Sequence, residues 1–168
     1  MGEQRNLANQ EGIEKLRQIA KDADVCMFTT NLKGEPISAR PMSTRDVDDD
    51  GTIYFFSRDT SNKNDEITAD HRVQLFYSNN TSYEYLSVFG KATIVKDEEL
   101  AKKLWTNWAK AWFDEGVDDP ELTILKVVPE HVYYWDTKNN KMVSLLKIVV
   151  GAITGKEPEN GVYGHINV

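Results

Sequence analysis

The chain is poor in the residues that build self-contained chemical sites. It has one cysteine, Cys26, in 168 residues, so an intramolecular disulfide is excluded and a cysteine-based metal centre would have to recruit histidines. The three histidines, His71, His131 and His165, have no ligand spacing, and no metal site is expected. A Ser-His-Asp arrangement and a glycine-rich phosphate loop are both missing. There is no apolar run near 18 residues and no N-terminal hydrophobic h-region, which argues against membrane insertion and secretion and makes the cytoplasm the expected compartment. Positive charge is scarce: Lys+Arg 20 against Asp+Glu 27 give a net charge of −7, which opposes a nucleic-acid footprint or an anionic membrane surface. Any anion site must therefore be local.

What is present is material for one core. With 40% hydrophobic residues, a single domain is expected over residues 13–155, between a flexible leader (1–12) and a C-terminal tail (156–168). Ile13, Leu16, Ile19 and Ala20 recur at helical spacing and predict a short amphipathic helix to Lys21. Short β-rich runs follow at Val25–Thr30, Ile37–Thr44, Ile53–Ser57, Val73–Ser78, Tyr83–Phe89, Lys91–Val95, Leu122–Val128 and His131–Trp135, with Gly90 placed for a bulge and Pro129-Glu130 splitting the last two. Cys26, in an apolar strand, reads as a small core residue. Antiparallel strands with few intervening helices close most simply as a small barrel, which removes exposed edges. Asp97 should cap a helix to about Phe113, whose Leu100, Leu104, Trp108 and Trp112 step by four, with Trp105 widening the stripe. These tryptophans are expected in the core or at an interface. Asp118 and Asp119 before Pro120 should cap a turn, and Leu145–Ile153 is read as a closing helix.

The stretch from Arg40 to Lys63 carries the candidate site. Arg40-Pro41-Met42-Ser43-Thr44-Arg45 and Ile53-Tyr54-Phe55-Phe56-Ser57 flank the acidic Asp49-Asp50-Gly51 turn and are expected to pair as a hairpin. This would gather Arg40, Ser57, Ser61 and Lys63 at one end of the sheet. A phosphate monoester is held by such a set: a planar guanidinium that binds in two places, an ammonium point charge, and small hydroxyls between them. Ser61-Asn62 should open a helix, Asn62–Ala69, whose first-turn N–H groups favour an anion.

The order Arg-Pro-Met, acidic turn, Tyr-Phe-Phe-Ser, Ser-x-Lys, Glu-Ile and Arg72-Val73-Gln74-Leu75-Phe76-Tyr77 resembles the FMN-binding split barrels of the pyridoxamine 5′-phosphate oxidase-like group. Trp112-Phe113-x-x-Gly116-x-Asp118-Asp119-Pro120, then a strand, Pro129-Glu130 and Tyr134-Trp135-Asp136, resembles its general-stress-protein branch. The resemblance, from about Ile13 to Asp136, implies an α+β, mainly β fold: an antiparallel split barrel with peripheral helices, assembled as a homodimer with the flavin in a groove between subunits. It implies FMN (FAD possible) as cofactor, with Arg40 and Lys63 on the phosphate, Pro41 and Met42 along the ring through their backbone, and Phe56 and Ser57 near the ribityl chain and phosphate; Ser61 joins the cofactor-binding set as one of the hydroxyls gathered above. Tyr85 falls where the oxidases carry a glutamine, and Trp135 matches the aromatic of the final strand.

The chain also departs from the oxidases. Asn62 stands where they often have a second arginine, Arg45 where a lysine helps hold substrate, and the segment after Trp135 lacks their Arg-rich and Leu-His features. The expected function is thus that of a stress-linked flavin-dependent oxidoreductase acting on an unidentified small molecule, and not an efficient pyridoxamine phosphate oxidase. The alternatives are a non-catalytic flavin binder or sensor and a flavin-free interaction module. Any catalysis would rest on the flavin, and no catalytic side chain is assigned.

Overall fold

Alternation along the strands decides which face becomes the core. On β3 (Val25–Thr30) Cys26, Phe28 and Thr30 are buried while Val25 and Met27 are exposed. On β7 (Arg72–Asn79) Val73, Leu75 and Tyr77 are buried and Phe76 is exposed. The computed structural model describes residues 3–4, 7–136 and 162–167. It shows a curled, mainly antiparallel sheet of a split barrel, with three α-helices.

The main path of the sheet runs β1 (Glu3–Gln4), β10 (Val162–Asn167), β9 (Leu122–Asp136), β8 (Glu84–Val95), β7, β3 and β4 (Ser38–Ser43). Strand β2 (Leu7–Ala8), like β1, pairs in parallel with β10, so two pieces of the segment expected to be loose are tied to the tail. Strand β6 (Ile53–Arg58) pairs with the first half of β9, opposite the side taken by β8. The inward residues form one core, in which Phe28 and Phe55 meet edge to face with centroids 5.1 Å apart. Each such large apolar side chain withdrawn from water contributes roughly 1.5–3 kcal/mol.

Several expectations are corrected. Helix α1 (Asn9–Ala23) begins four residues before Ile13, because polar Asn9–Gly12 add a turn stitched by Gln10 donating to Glu14 at 3.1 Å. The expected hairpin is only its tip: β5 (Asp46–Val47) pairs with Tyr54 and Ile53, whereas β4 pairs with β3 and β6 with β9. The chain changes partners at Thr44, whose buried hydroxyl meets the Tyr77 hydroxyl at 2.7 Å. Leu122–Val128 and His131–Trp135 are one strand, not two. Pro129 is accommodated where the ladder between β8 and β9 shifts register beside Gly90, leaving Glu130 as the extra residue. Gly90 is required there, since a Cβ would lie 2.3 Å from the Val128 carbonyl oxygen.

Helix α2 (Asn62–Ala69) spans the expected residues. Helix α3 (Glu98–Leu104) starts under the Asp97 cap, which accepts from the Leu100 N–H at 2.9 Å, but it stops well short of Phe113. Trp105 leaves the helix in an extended conformation and packs on Phe56 and Phe113. A 3-10 turn, Asn107–Ala111, then redirects the chain. The expected helix at Leu145–Ile153 lies outside the described residues. Among those described, no helix is long and apolar enough to cross a membrane.

Candidate functional site

The break after α3 brings the 108–113 segment over β4 and β6, and a cavity of about 470 Å³ lies between them. One wall is β4, with Arg40, Pro41, Met42 and Ser43 beside Val25 of β3 and Arg45 just beyond the strand. A second comprises Phe56, Ser57 and Arg58 at the end of β6, with Ser61 and Lys63 at the start of α2. The third is Trp108, Ala109, Trp112 and Phe113. Four cations and three serines therefore line an otherwise apolar space, and no carboxylate is among the lining residues. In a chain of net charge −7, this is a local reversal of sign.

Each polar group has a specific support. Arg40 donates through Nη2 to Glu66 Oε2 at 2.9 Å and through Nη1 to the Thr30 hydroxyl, and Ser38 donates to the other Glu66 oxygen at 2.8 Å. Burial pushes the Glu66 carboxyl up, but hydrogen bonds from Thr30, Ser38 and Arg40 outweigh it and leave it below its usual range. Lys63 donates to the Ser61 hydroxyl at 2.7 Å, and Ser61 makes no side-chain cap to α2. Among the described residues Lys63 has no carboxylate partner; burial, then the neighbouring Arg40 charge, hold its ammonium below the usual lysine range. The buried Ser57 hydroxyl donates to Asn64 Oδ1 at 2.7 Å, and the Asn64 amide donates to Thr123, pinning the end of β6 to β9.

The opposite side is built from residues outside the expected cofactor set. Arg45 donates to the Thr106 hydroxyl at 3.0 Å and to Ser43, and its guanidinium lies 5.5 Å from the Trp108 ring centroid. Arg58 pairs with Glu121 at 2.5 Å, donates to the Trp112 carbonyl and covers the Phe113 ring. Trp108 and Trp112, expected in the core or at an interface, lie outside the core, 56% and 48% exposed, and line the cavity. The signal that could have placed them is Thr106-Asn107, a cap-type pair interrupting the apolar stripe.

Arg40, Pro41, Met42, Phe56, Ser57, Ser61 and Lys63 are thus brought together around one cavity. Tyr85 and Trp135 are not in its lining; they face each other across the β8–β9 ladder. They share the outer sheet face with Phe76, since Tyr85 also opposes Ser78. Cys26 is buried in the core, with its thiol pushed up to about 12 by burial. Among the described residues, no group of three or more His, Cys, Asp or Glu could hold a metal ion.

A family model for pyridoxamine 5′-phosphate oxidase-like proteins matches residues 11–159. The chain belongs to the pyridoxamine 5′-phosphate oxidase-like family. Its relatives include general stress protein 26 of Bacillus subtilis, 32% identical over 141 residues that cover 82% of this chain and 98% of that protein. Protein bli-3 of Neurospora crassa is 28% identical over 139 residues, 77% of this chain. The match spans 66% of bli-3, just under two thirds of its length. A solved general-stress-protein-26-like structure from Jannaschia superposes with a TM-score of 0.73 at 23% identity, covering 95% of this chain and 96% of that one. The general stress FMN/FAD binding protein of Xanthomonas citri superposes at 0.66 with 21% identity, covering 77% and 90%. These two similarities establish the shared split-barrel fold of the pyridoxamine 5′-phosphate oxidase-like family.

Proposed function

We propose that this protein binds FMN in the cationic cavity, as a homodimer, and serves as a flavin-dependent oxidoreductase for a small substrate. The observation that carries the reading is the sign of the cavity: four cations and no carboxylate among its lining residues. The residues fit the group. Lys63 supplies an ammonium without a carboxylate partner among the described residues, Arg40 a guanidinium whose orientation Glu66 fixes, and Ser61 a hydroxyl between the charges. These match a terminal phosphate, while Pro41, Met42 and Phe56 supply flat apolar contact for a tricyclic ring. FAD shares both the ring and the first phosphate, and the flavin-binding Xanthomonas neighbour is compatible with either. The flavin, when bound, supplies hydride and electron transfer. The chain's part is to hold the phosphate, orient the ring and exclude water from the apolar wall.

The dimer reading rests on the outer face of the sheet. Pro41, Met27 and Phe76 lie in one register row across β4, β3 and β7, and Met27 and Phe76 are 44% and 49% exposed. Val25 and Pro41 belong both to this face and to the cavity lining. A second copy seated here would cover the cavity mouth and bring Tyr85 and Trp135, on the same face, towards the partner's cavity.

Turnover of pyridoxamine 5′-phosphate is expected to be poor. A second phosphate dianion needs its own cationic cluster, yet of the two cavity cations outside the flavin phosphate set Arg58 is engaged by Glu121, which leaves Arg45 alone. Titration of purified protein with FMN, followed by quenching of flavin fluorescence, tests the core of the proposal; a protein that remains colourless and leaves the emission unchanged overturns it. Anaerobic bleaching by NAD(P)H separates an oxidoreductase from a passive flavin binder.

A further inference from the structure

The flavin reading accounts for the β4 and α2 side of the cavity and leaves the tryptophan wall without a role. That wall has a charge and a shape of its own. The Arg45 side chain is only 8% exposed, and its nearest carboxylate, Asp24 Oδ1, stands at 4.0 Å on a side chain that is 60% exposed. Its close partners are the neutral hydroxyls of Ser43 and Thr106. Arg58, by contrast, is closed by Glu121 at 2.5 Å, and Arg40 by Glu66 at 2.9 Å. Arg45 thus presents one largely uncompensated positive charge in a partly dry setting, where an arriving anion gains more than it would in water. Beside it the Trp108 and Trp112 rings, centroids 4.2 Å apart and inclined at 51°, form an open aromatic angle exposed to the cavity. Tryptophan faces left uncovered next to a buried arginine suit a flat ring carrying an acid.

We propose that Arg45, Trp108 and Trp112 form a subsite for a planar aromatic monocarboxylate, next to the place taken by the flavin. The inference rests on the flavin reading, because it names what binds beside that cofactor. The carboxylate pairs with the Arg45 guanidinium and the ring lies against the indoles of the 108–113 turn. A monoanion suits a single spare charge; a phosphate dianion would leave one charge unmatched.

The test uses FMN-loaded protein labelled with 15N-tryptophan. Four tryptophans give four indole N–H signals, and loss of one signal in Trp108→Phe identifies Trp108. Titration with 4-hydroxybenzoate should shift the Trp108 signal saturably, and at low ionic strength the acid should bind at least tenfold more tightly than 4-hydroxybenzamide, its neutral isostere, about 1.4 kcal/mol. Arg45→Gln should abolish the preference for the acid, and Arg45→Lys should restore part of the preference. Equal binding of acid and amide to the wild type overturns the proposal, as does a preference that survives in Arg45→Gln. Release of FMN by the acid, seen in the visible spectrum, also overturns it, since the acid would then occupy the flavin's own place. A protein that does not take up FMN refutes the flavin reading separately, and the acid and amide are then compared on the flavin-free chain.

Discussion

Lys15 and Lys63 are lysines drawn partly out of water on opposite errands. Lys15 of α1 reaches Glu84 Oε1 at 3.0 Å and Asp136 Oδ2 at 2.5 Å, so that one ammonium clasps the start of β8 and the end of β9. Burial pulls its pKa down, but its two carboxylates outweigh this and leave it above the usual lysine range. Lys63 is also withdrawn, finds a serine and the repelling Arg40 instead, and its ammonium sits below that range. The fold has completed the charge balance of one and left the other open. A compensated cation stabilises the protein; an uncompensated one costs folding stability that a ligand can return.

The largest expected effect separates the two sites by stability. Lys15→Met strands two carboxylates, one of them on the buried Glu84, and should lower the unfolding free energy by about 3 kcal/mol, read from urea denaturation. Lys63→Met should leave unfolding within about 0.5 kcal/mol of wild type; a loss matching that of Lys15→Met would erase the contrast. The next effect lies in binding. Lys63→Ala should weaken FMN by about 1.5–3 kcal/mol and leave riboflavin, which lacks the phosphate, unchanged. Equal losses for the two flavins would put the phosphate elsewhere.

pH sharpens the contrast further. The depressed Lys63 pKa means its proton leaves earlier than that of a free lysine as pH rises, and the phosphate loses its partner with it. The ratio of FMN to riboflavin affinity should therefore fall on the alkaline side towards the Lys63→Ala value, whereas a flat ratio would show that Lys63 does not touch the phosphate. The smallest effect belongs to the closed site. Burial pushes the Glu84 carboxyl up, but hydrogen bonds from Ser82 and Lys15 bring it below its usual range. Its stabilising contribution is then present above the unfolded carboxylate pKa of about 4.3 and lost as pH falls through the lower folded value. The stability gap between wild type and Lys15→Met should accordingly narrow by about 1 kcal/mol on acidification, measured by denaturation across that range.

The legible part of the site was the part written locally. Arg40, Ser61 and Lys63 sit in short motifs whose order survives without knowledge of packing, and α2 and β3 followed from spacing and propensity. The hairpin reading failed because Arg40–Ser43 and Ile53–Arg58 satisfy their backbones with β3 and β9, partners that a local turn signal does not reveal. The length of α3 was misread for a related reason. Leu100, Leu104, Trp108 and Trp112 keep a four-residue step across a helix that ends at Leu104, so a true periodicity described two separate elements. Arg58 carried no motif at all; its place follows from the end of β6 meeting Glu121 and Trp112.

The extra residue at Glu130 has a consequence best stated as parity. Before it, the odd-numbered Leu125 and Val127 of β9 face the core and Val128 faces out; after it, the even-numbered Val132 and Tyr134 face the core and Trp135 faces out. One inserted residue thus changes which half of the sequence is read as interior. Deleting Glu130 would remove only the unpaired residue: Pro129 and His131 would still oppose Gly90 and Phe89, and Val132 and Tyr134 would stay inward. Single substitutions at this exposed position should be mild, and loss of the position should strain the ladder locally beside Pro129 while leaving the facing of the strand downstream unchanged. The aromatic outer face is therefore set by the pairing of Tyr133 and Trp135 with Ser87 and Tyr85, while the extra residue shifts only the numbering of the inward positions and pairs with Lys91 at 2.7 Å.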